Sequence, residues 1–563
     1  MDETTATTSP RPAIYPALLW LMAASALVFF VRLDATGLWA PDEPRFAQVA
    51  EEMRTLPSGA VDLVVLRLNG EPYTQKPPLY YWLAAAFGSA SGHVGEIAAR
   101  LPSVLAGLAC VWLTFQFALR LTRRPAAAVL SAAMLVTVFR FVHLTRRAGL
   151  DVLLTCFILV ALLALYELRD AKRDRSRWFY ALHVSLGLAV LTKGPVGLLP
   201  IPAFAVLLFW QGNLRGFRNV FPWWSFALSI GPALAWIATA VALTPAGFFE
   251  AAVVDNLFGR FFAGTDHIRP WTYYFVHFPL EFLPWTLVWP LAGIHYVRTN
   301  RERPKSDQHT GTRLLVVWIA FCFVFFTISA GKRGLYLLPT YPALAILCGT
   351  ALEAWLRERK RFPQGAFGSM LAVAACAIAG LGTAIVIGDG LSLRAYPGFE
   401  LPYSMGASLI AIAVGSVAAI YFLRSRCAPL IQQFIVPLVA VYLVEGTVFA
   451  IAYPAFDEEK SPAPIARAAA KHTSRGAPIG IFDHPAMAGG VAYYSGHRVV
   501  NVRDQDSLDA FFAAGGRNII VKESKLRQVP RAKMFSILEG SRSGSRRLLI
   551  IAPKASNGPA KRT

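Results

Sequence analysis

Apolar runs of about 17–25 residues recur along the chain, each long enough for a helix to cross about 30 Å of hydrocarbon. They predict thirteen spans, at 14–31, 96–119, 126–145, 149–168, 179–192, 195–211, 222–243, 273–296, 314–330, 335–355, 367–388, 404–423 and 429–452. A shorter apolar stretch, 79–92, predicts a helix lying along the membrane surface. The first run lacks a small-residue cleavage pattern and more spans follow it, so it reads as a retained helix. After Tyr453 hydropathy drops and the pattern changes. Strands are predicted at 478–482, 498–502, 518–522 and 547–552, with helices at 486–494 and 507–514. This alternation predicts a small α/β domain. The chain therefore divides into a membrane domain (1–453), an α/β domain (454–555) and a polar, basic, disordered tail (556–563).

Composition agrees with a polytopic α-helical membrane protein. Of the 563 residues, 55% are hydrophobic and 16% charged, which excludes a large soluble enzyme. The formal charge of +21 points to basic loops and anionic lipid, and no zinc-finger spacing supports a nucleic-acid partner. The basic loops lie at 120–124, 169–177, 213–218, 298–313, 357–361 and 424–426. The positive-inside rule places them in the cytoplasm, with the N-terminus inside and the α/β domain outside. Cys110, Cys156, Cys322, Cys348, Cys376 and Cys427 fall within spans or at the cytoplasmic edge, so no disulfide framework is implied.

With that topology, polar residues near span ends collect on one side. Asp42, Glu43 and Arg45 follow the first span in Gly37-Leu38-Trp39-Ala40-Pro41-Asp42-Glu43-Pro44-Arg45. Glu71, Tyr73 and Lys76 lie in the same first outer loop, 33–95. Arg146, Arg147 and Asp151 lie at the second outer turn, Lys193 at the third, Asp255, Asn256, Arg260 and His267 in the loop 244–272, and Lys332, Arg333 and Tyr336 at the next turn. Cations in short outer turns run against the positive-inside rule and need a local reason. Phosphate groups supply one, since Arg and Lys make charge-assisted bonds to them. The plainer alternative is pairing with Asp42, Glu43, Asp151 or lipid headgroups. Acids and cations around one outer cavity suggest transfer chemistry on a phosphorylated lipid.

The acid pair after the first span, the run Tyr73 to Lys76-Pro77-Pro78-Leu79-Tyr80-Tyr81-Trp82, Asp151 after the third span and Thr192-Lys193-Gly194-Pro195 carry a resemblance. They resemble the C-type membrane glycosyltransferases (GT-C fold) related to protein O-mannosyltransferases. Within that group the likeness is greatest to the bacterial transferases that move aminoarabinose from undecaprenyl phosphate to lipid A. Gln75 departs from the pattern, because many relatives carry an acid before Lys-Pro.

The resemblance implies an inverting transfer of 4-amino-4-deoxy-L-arabinose from an undecaprenyl-phosphate donor to a lipid A phosphate, at the periplasmic face of the bacterial inner membrane. Cationic-peptide resistance would follow. Asp42 would be the principal catalytic carboxylate, with Glu43 and Asp151 as further catalytic candidates. Arg45, Lys76, Lys193, Arg260, Lys332, Arg333 and Tyr336 would bind donor or acceptor, and Tyr73 would pack on sugar or lipid. No cofactor is implied as required, and the chain reads as a monomer. A protein hydroxyl or another glycolipid stands as the alternative acceptor, and a lipid or solute transporter as the alternative function. Glu71, His267 and His484 offer N/O ligands to zinc or another divalent metal, although they come from distant segments and His472 and His497 are equally eligible.

Overall fold

The structure, a computed structural model, describes residues 14–169, 174–254, 268–302, 307–357, 364–387, 401–426, 430–543 and 546–554. Among these, six helices are long and apolar enough to cross a membrane: Glu96–Thr122, Arg175–Leu198, Thr310–Ile328, Gly334–Arg357, Tyr403–Ser425 and Gln433–Ala455. Two bent pairs, Pro125–Val136 with Phe139–Thr145 and Trp223–Ser229 with Gly231–Ala242, raise the number to eight.

The remaining expected spans differ in coming as shorter or interrupted helices, apart from Gln364–Ile387, whose 24 residues cover the span expected at 367–388. Prolines explain much of the difference, because each removes a backbone donor and clashes with the preceding turn. The stretch expected at 195–211 opens as a 3₁₀ turn, Gly194–Leu198, before an eleven-residue helix, Pro200–Trp210. The stretch expected at 273–296 breaks into Tyr273–Glu281 and Trp289–Glu302 around Pro284. The stretch expected at 149–168 is a 17-residue helix, Asp151–Glu167, buried along most of its length inside the bundle.

The first loop is built, not slack. Helix Asp42–Thr55 buries Glu43, Pro44, Phe46, Ala47, Val49, Ala50 and Met53, the one-sided spacing of a helix packed on a core. A two-stranded hairpin pairs Arg67–Leu68 with Glu71–Pro72 through Asn69 and Gly70, both at positive φ. The Asn-Gly pair is the usual solution where both turn residues need that conformation. The expected surface helix is present as Leu79–Ser91. Cys110, Cys156, Cys322 and Cys348 are buried free thiols and Cys376 is an exposed one, whereas Cys427 lies outside the described residues.

The α/β region has five strands in the order Val499–Val502, Ile479–Phe482, Ile519–Lys522, Arg546–Pro553, Phe535–Ser543. The first three are parallel, Arg546–Pro553 is antiparallel to both its neighbours, and Phe535–Ser543 therefore runs in the direction of the first three. All four expected strands and both expected helices are present, within a few residues. The strand Phe535–Ser543 and the helix Ala463–Lys471 were not expected.

This domain sits on the acid-bearing helix. A Cβ on Gly489 would stand 2.9 Å from the Arg45 Cα, so the backbones meet where a side chain has no room. Tyr493 donates to the Val94 carbonyl at 2.8 Å, and the Tyr494 hydroxyl accepts from the Leu38 amide at 2.6 Å. The Trp39 indole donates to Asp457 at 2.8 Å and its ring stacks on Tyr453.

Candidate functional site

The acid pair opens helix Asp42–Thr55, where the helix dipole favours negative charge. The two neighbours have different surroundings. Glu43 is 1% exposed. It accepts from the amides of Trp39 at 2.9 Å and Ala148 at 2.8 Å, and pairs with Arg100 at 3.2 Å and Arg147 at 3.3 Å. Arg100 also donates to the carbonyls of Leu33, Thr36 and Gly37. Glu43 is therefore the knot that ties the first loop to helix Glu96–Thr122 and to the turn before Asp151. Burial opposes its ionisation, but Arg100, Arg147 and the two amides outweigh that cost and hold its carboxyl below the ordinary value.

Asp42 keeps a partly open carboxylate, with 28% of its side chain exposed. One oxygen meets Arg45 at 2.5 Å and the other meets Arg333 at 3.2 Å. Burial again works against the charge, and Arg45, Arg333 and Arg147 together prevail, so its pKa lies below the ordinary value. Arg333 is held from behind by Tyr274, whose hydroxyl donates to the Arg333 carbonyl at 3.0 Å. It also feels the charge of Asp151. Asp151 is hydrogen-bonded to the Lys193 ammonium, which lies 5.1 Å from the centre of the Tyr336 ring. Asp42, Arg45, Arg333, Asp151, Lys193 and Tyr336 thus form one connected cluster from four separate segments.

The other expected residues divide. Tyr73 is buried edge-on against Tyr81, beside the turn that carries Lys76. Lys332 turns inward and donates to the Ser329 carbonyl, and burial pushes its pKa down. Arg260 and His267, with Asp255 and Asn256, lie outside the described residues. Glu71 and His484 are not brought together. Glu71 pairs with Arg498, which precedes strand Val499–Val502, whereas His484 follows the parallel strand Ile479–Phe482 at the opposite end of the sheet. Burial and the nearby cations Lys522, Arg546 and Lys525 lower the His484 pKa to about 4, surroundings that repel a further cation. Among the described residues no group of three or more His, Cys, Asp or Glu side chains is arranged to hold a metal.

The site also uses residues that sequence reasoning did not single out. Arg100 holds Glu43, and Trp39 packs under the Arg147 guanidinium at 5.6 Å. Glu281 accepts from the Tyr341 hydroxyl at 3.1 Å and lies where a Cβ on Gly334 would fall, 2.0 Å from its Oε1. Arg100 carried a usable signal: an arginine inside an apolar helix needs a partner.

The sequence pattern of the dolichyl-phosphate-mannose-protein mannosyltransferase family matches residues 75–238. Crystal structures of ArnT from Cupriavidus metallidurans are similar in fold. The structure bound to undecaprenyl phosphate has a TM-score of 0.74 at 21% identity, over 96% of this chain and 99% of that one. The chain has the fold of a C-type membrane glycosyltransferase. A more distant likeness in fold is to an oligosaccharyltransferase from Archaeoglobus fulgidus, at TM-score 0.51 and 12% identity over 91% of this chain and 69% of that one.

In sequence, the chain is similar to undecaprenyl phosphate-alpha-4-amino-4-deoxy-L-arabinose arabinosyl transferase of Pseudomonas aeruginosa strain LESB58. The two are 29% identical over 429 residues, 74% of this chain and 73% of the relative. A Pseudomonas fluorescens Pf0-1 protein of the same description is 29% identical over 63% of this chain and 62% of its own. The resemblance read from Asp42-Glu43, Lys76-Pro77-Pro78 and Lys193-Gly194-Pro195 is borne out by these likenesses.

Proposed function

We propose that the protein is an inner-membrane glycosyltransferase that moves 4-amino-4-deoxy-L-arabinose from undecaprenyl phosphate to a lipid A phosphate, on the periplasmic side. The observation that carries this reading is the partly open Asp42 carboxylate between Arg45 and Arg333, on a fold matched along nearly its whole length by ArnT.

The chemistry fits the groups present. An oxygen of the acceptor phosphate attacks the sugar C1 from the face opposite the donor phosphate. The C1–O bond breaks, and undecaprenyl phosphate leaves with the electron pair. Cations near the leaving group stabilise the charge that gathers there as the bond breaks. Arg45, Lys193 and Arg333 are the described side chains of the cluster able to do this. Asp42, ionised at neutral pH, orients the donor or acceptor and stabilises positive charge growing on the sugar ring.

The depressed pKa of Asp42 bears on the acceptor. A carboxylate held below its ordinary value is a weak base, poorly suited to deprotonating a protein hydroxyl. A lipid A phosphate is already ionised near neutral pH and needs no base. This favours the phosphate acceptor over the protein hydroxyl that the mannosyltransferase likeness would suggest.

The test uses purified protein in liposomes, supplied with undecaprenyl-phosphate aminoarabinose and lipid A, with lipid A mass followed over time. A pentosamine mass gain that Asp42→Asn abolishes supports the reading. No gain with folded wild-type protein sinks it.

A further inference from the structure

The α/β domain has a parting in its connections. The chain leaves strand Ile479–Phe482, crosses through helix Ala488–Ser495 to Val499–Val502 on one side, and returns through helix Gln505–Ala513 to Ile519–Lys522 on the other. The two helices bury into separate hydrophobic clusters. Val491 and Ala492 pack with Ile481 and Ile520, whereas Leu508 and Phe511 pack with Phe482 and Ile519. The helices therefore cover opposite faces of the sheet. Between Ile479–Phe482 and Ile519–Lys522 the connections diverge, and in open parallel sheets such a point leaves a ligand-binding crevice beyond the carboxyl ends of the strands.

Cations converge on this crevice. Asp483 follows the first of these strands in the left-handed region, at φ 43°, and its carboxylate reaches across to the Lys525 ammonium. Arg546, at the start of the antiparallel neighbour, places a guanidinium nitrogen 3.3 Å from His484 Nε2. Arg503 follows the strand Val499–Val502, close enough to act on the Asp483 charge. The nearby acids are otherwise engaged: Glu523 pairs with Arg547 at 3.1 Å, and Asp504 caps helix Gln505–Ala513. Lys522 has no hydrogen-bonded or ion-paired partner for its ammonium among the described residues, although Arg546 and Lys525 both lie close enough to repel it. Like charges crowded around a single carboxylate repel one another unless an anion joins them.

We propose that this crevice binds a phosphate group, held by Lys522, Arg546 and Lys525. The fork of Arg546 suits two phosphate oxygens and the two ammonium groups act as point charges. The site is separate from the Asp42 cluster and does not depend on the sugar-transfer reading. The phosphate comes either from a lipid headgroup or from a soluble compound, and the experiment separates the two.

A fluorophore is placed at the crevice rim through Ser524→Cys in the full-length protein, with Cys376→Ser and Cys427→Ser removing competing thiols. Pyrophosphate is titrated onto the protein in detergent. In parallel, the protein is reconstituted in phosphatidylcholine vesicles with or without phosphatidic acid. The expected result is a saturable fluorescence change, at least tenfold weaker in apparent affinity in Lys522→Gln with Arg546→Gln. It should be unchanged in Arg498→Gln at the other end of the sheet, and retained in Lys522→Arg. A response to pyrophosphate supports a soluble source, and a response to phosphatidic acid supports a headgroup. No response to either, an equal response to chloride at matched ionic strength, or an undiminished response in the doubly substituted protein overturns the proposal.

Discussion

The guanidinium of Arg333 lies 3.2 Å from the carboxylate of Asp42, although 291 residues separate them in the chain. The contact joins the first loop to the turn between helices Thr310–Ile328 and Gly334–Arg357. Substituting either partner should therefore disable transfer while leaving the fold intact. Asp42→Asn is expected to reduce the rate by about a hundredfold or more, the range for a positioned charged group. Arg333→Gln should have a comparable effect, and the double substitution should cost little more than either alone. A liposome assay of lipid A mass reads this, and additive losses would show that the two residues act independently.

Glu43 should behave differently from its neighbour. Removing a buried carboxylate that pairs with Arg100 and Arg147 leaves those cations uncompensated, at a cost of about 3–5 kcal/mol. Glu43→Ala should therefore lower the thermal midpoint in detergent strongly. Asp42→Asn, at a partly exposed position, should lower it little. Equal losses in the two would contradict the division of roles.

The same carboxylate predicts a pH dependence. The folded pKa of Glu43 lies below its ordinary value of 4.5, so the unfolded chain binds a proton there more readily than the folded one. Its stabilising contribution is present above 4.5 and is lost as pH falls through the lower folded value. The gap in thermal midpoint between wild type and Glu43→Gln should be constant from neutral pH to about 5, then narrow as pH falls further. A gap that widens in acid would reverse the sign.

Two glycines place the cluster by lacking a side chain. A Cβ at Gly334 would lie 2.0 Å from a Glu281 carboxylate oxygen, so Gly334→Ala must move either Glu281 or the turn carrying Arg333. Gly489→Val would wedge the α/β domain away from Arg45. Both should reduce transfer while a protease-resistant folded chain persists. Full activity in Gly489→Val would show that the domain can lift without disturbing Asp42.

Local chemistry made much of this site readable in the sequence. Asp42, Arg45, Asp151, Lys193 and Arg333 stand out because charges beside apolar helices need a reason to be there. The partnerships do not show, because Asp42–Arg333 and Glu43–Arg100 join distant segments and no local pattern encodes them. The split between an open Asp42 and a buried Glu43 depends on which side of one helix turn meets the bundle. The helix Ala463–Lys471 is strongly one-sided but only nine residues long and alanine-rich, and its apolar side packs in the cluster beneath the sheet. The strand Phe535–Ser543 is masked by Gly540 and by an irregularity between Ile537 and Glu539 that disturbs its alternation. Where prolines break an apolar run, as in Pro200–Trp210 and Tyr273–Glu281, hydropathy alone does not show that the helix is short.

The docking of Gly489, Tyr494 and Asp457 against the loop that bears Asp42 has a consequence for biogenesis. The acids Asp42 and Glu43 are synthesised more than 400 residues before the surface that braces them. A nascent chain emerging from the insertion machinery therefore carries its reactive groups unbraced until the α/β domain has been exported and folded. In the proposed orientation, the maturation of this enzyme is timed by its α/β domain, and a chain stalled before that domain is inserted but silent.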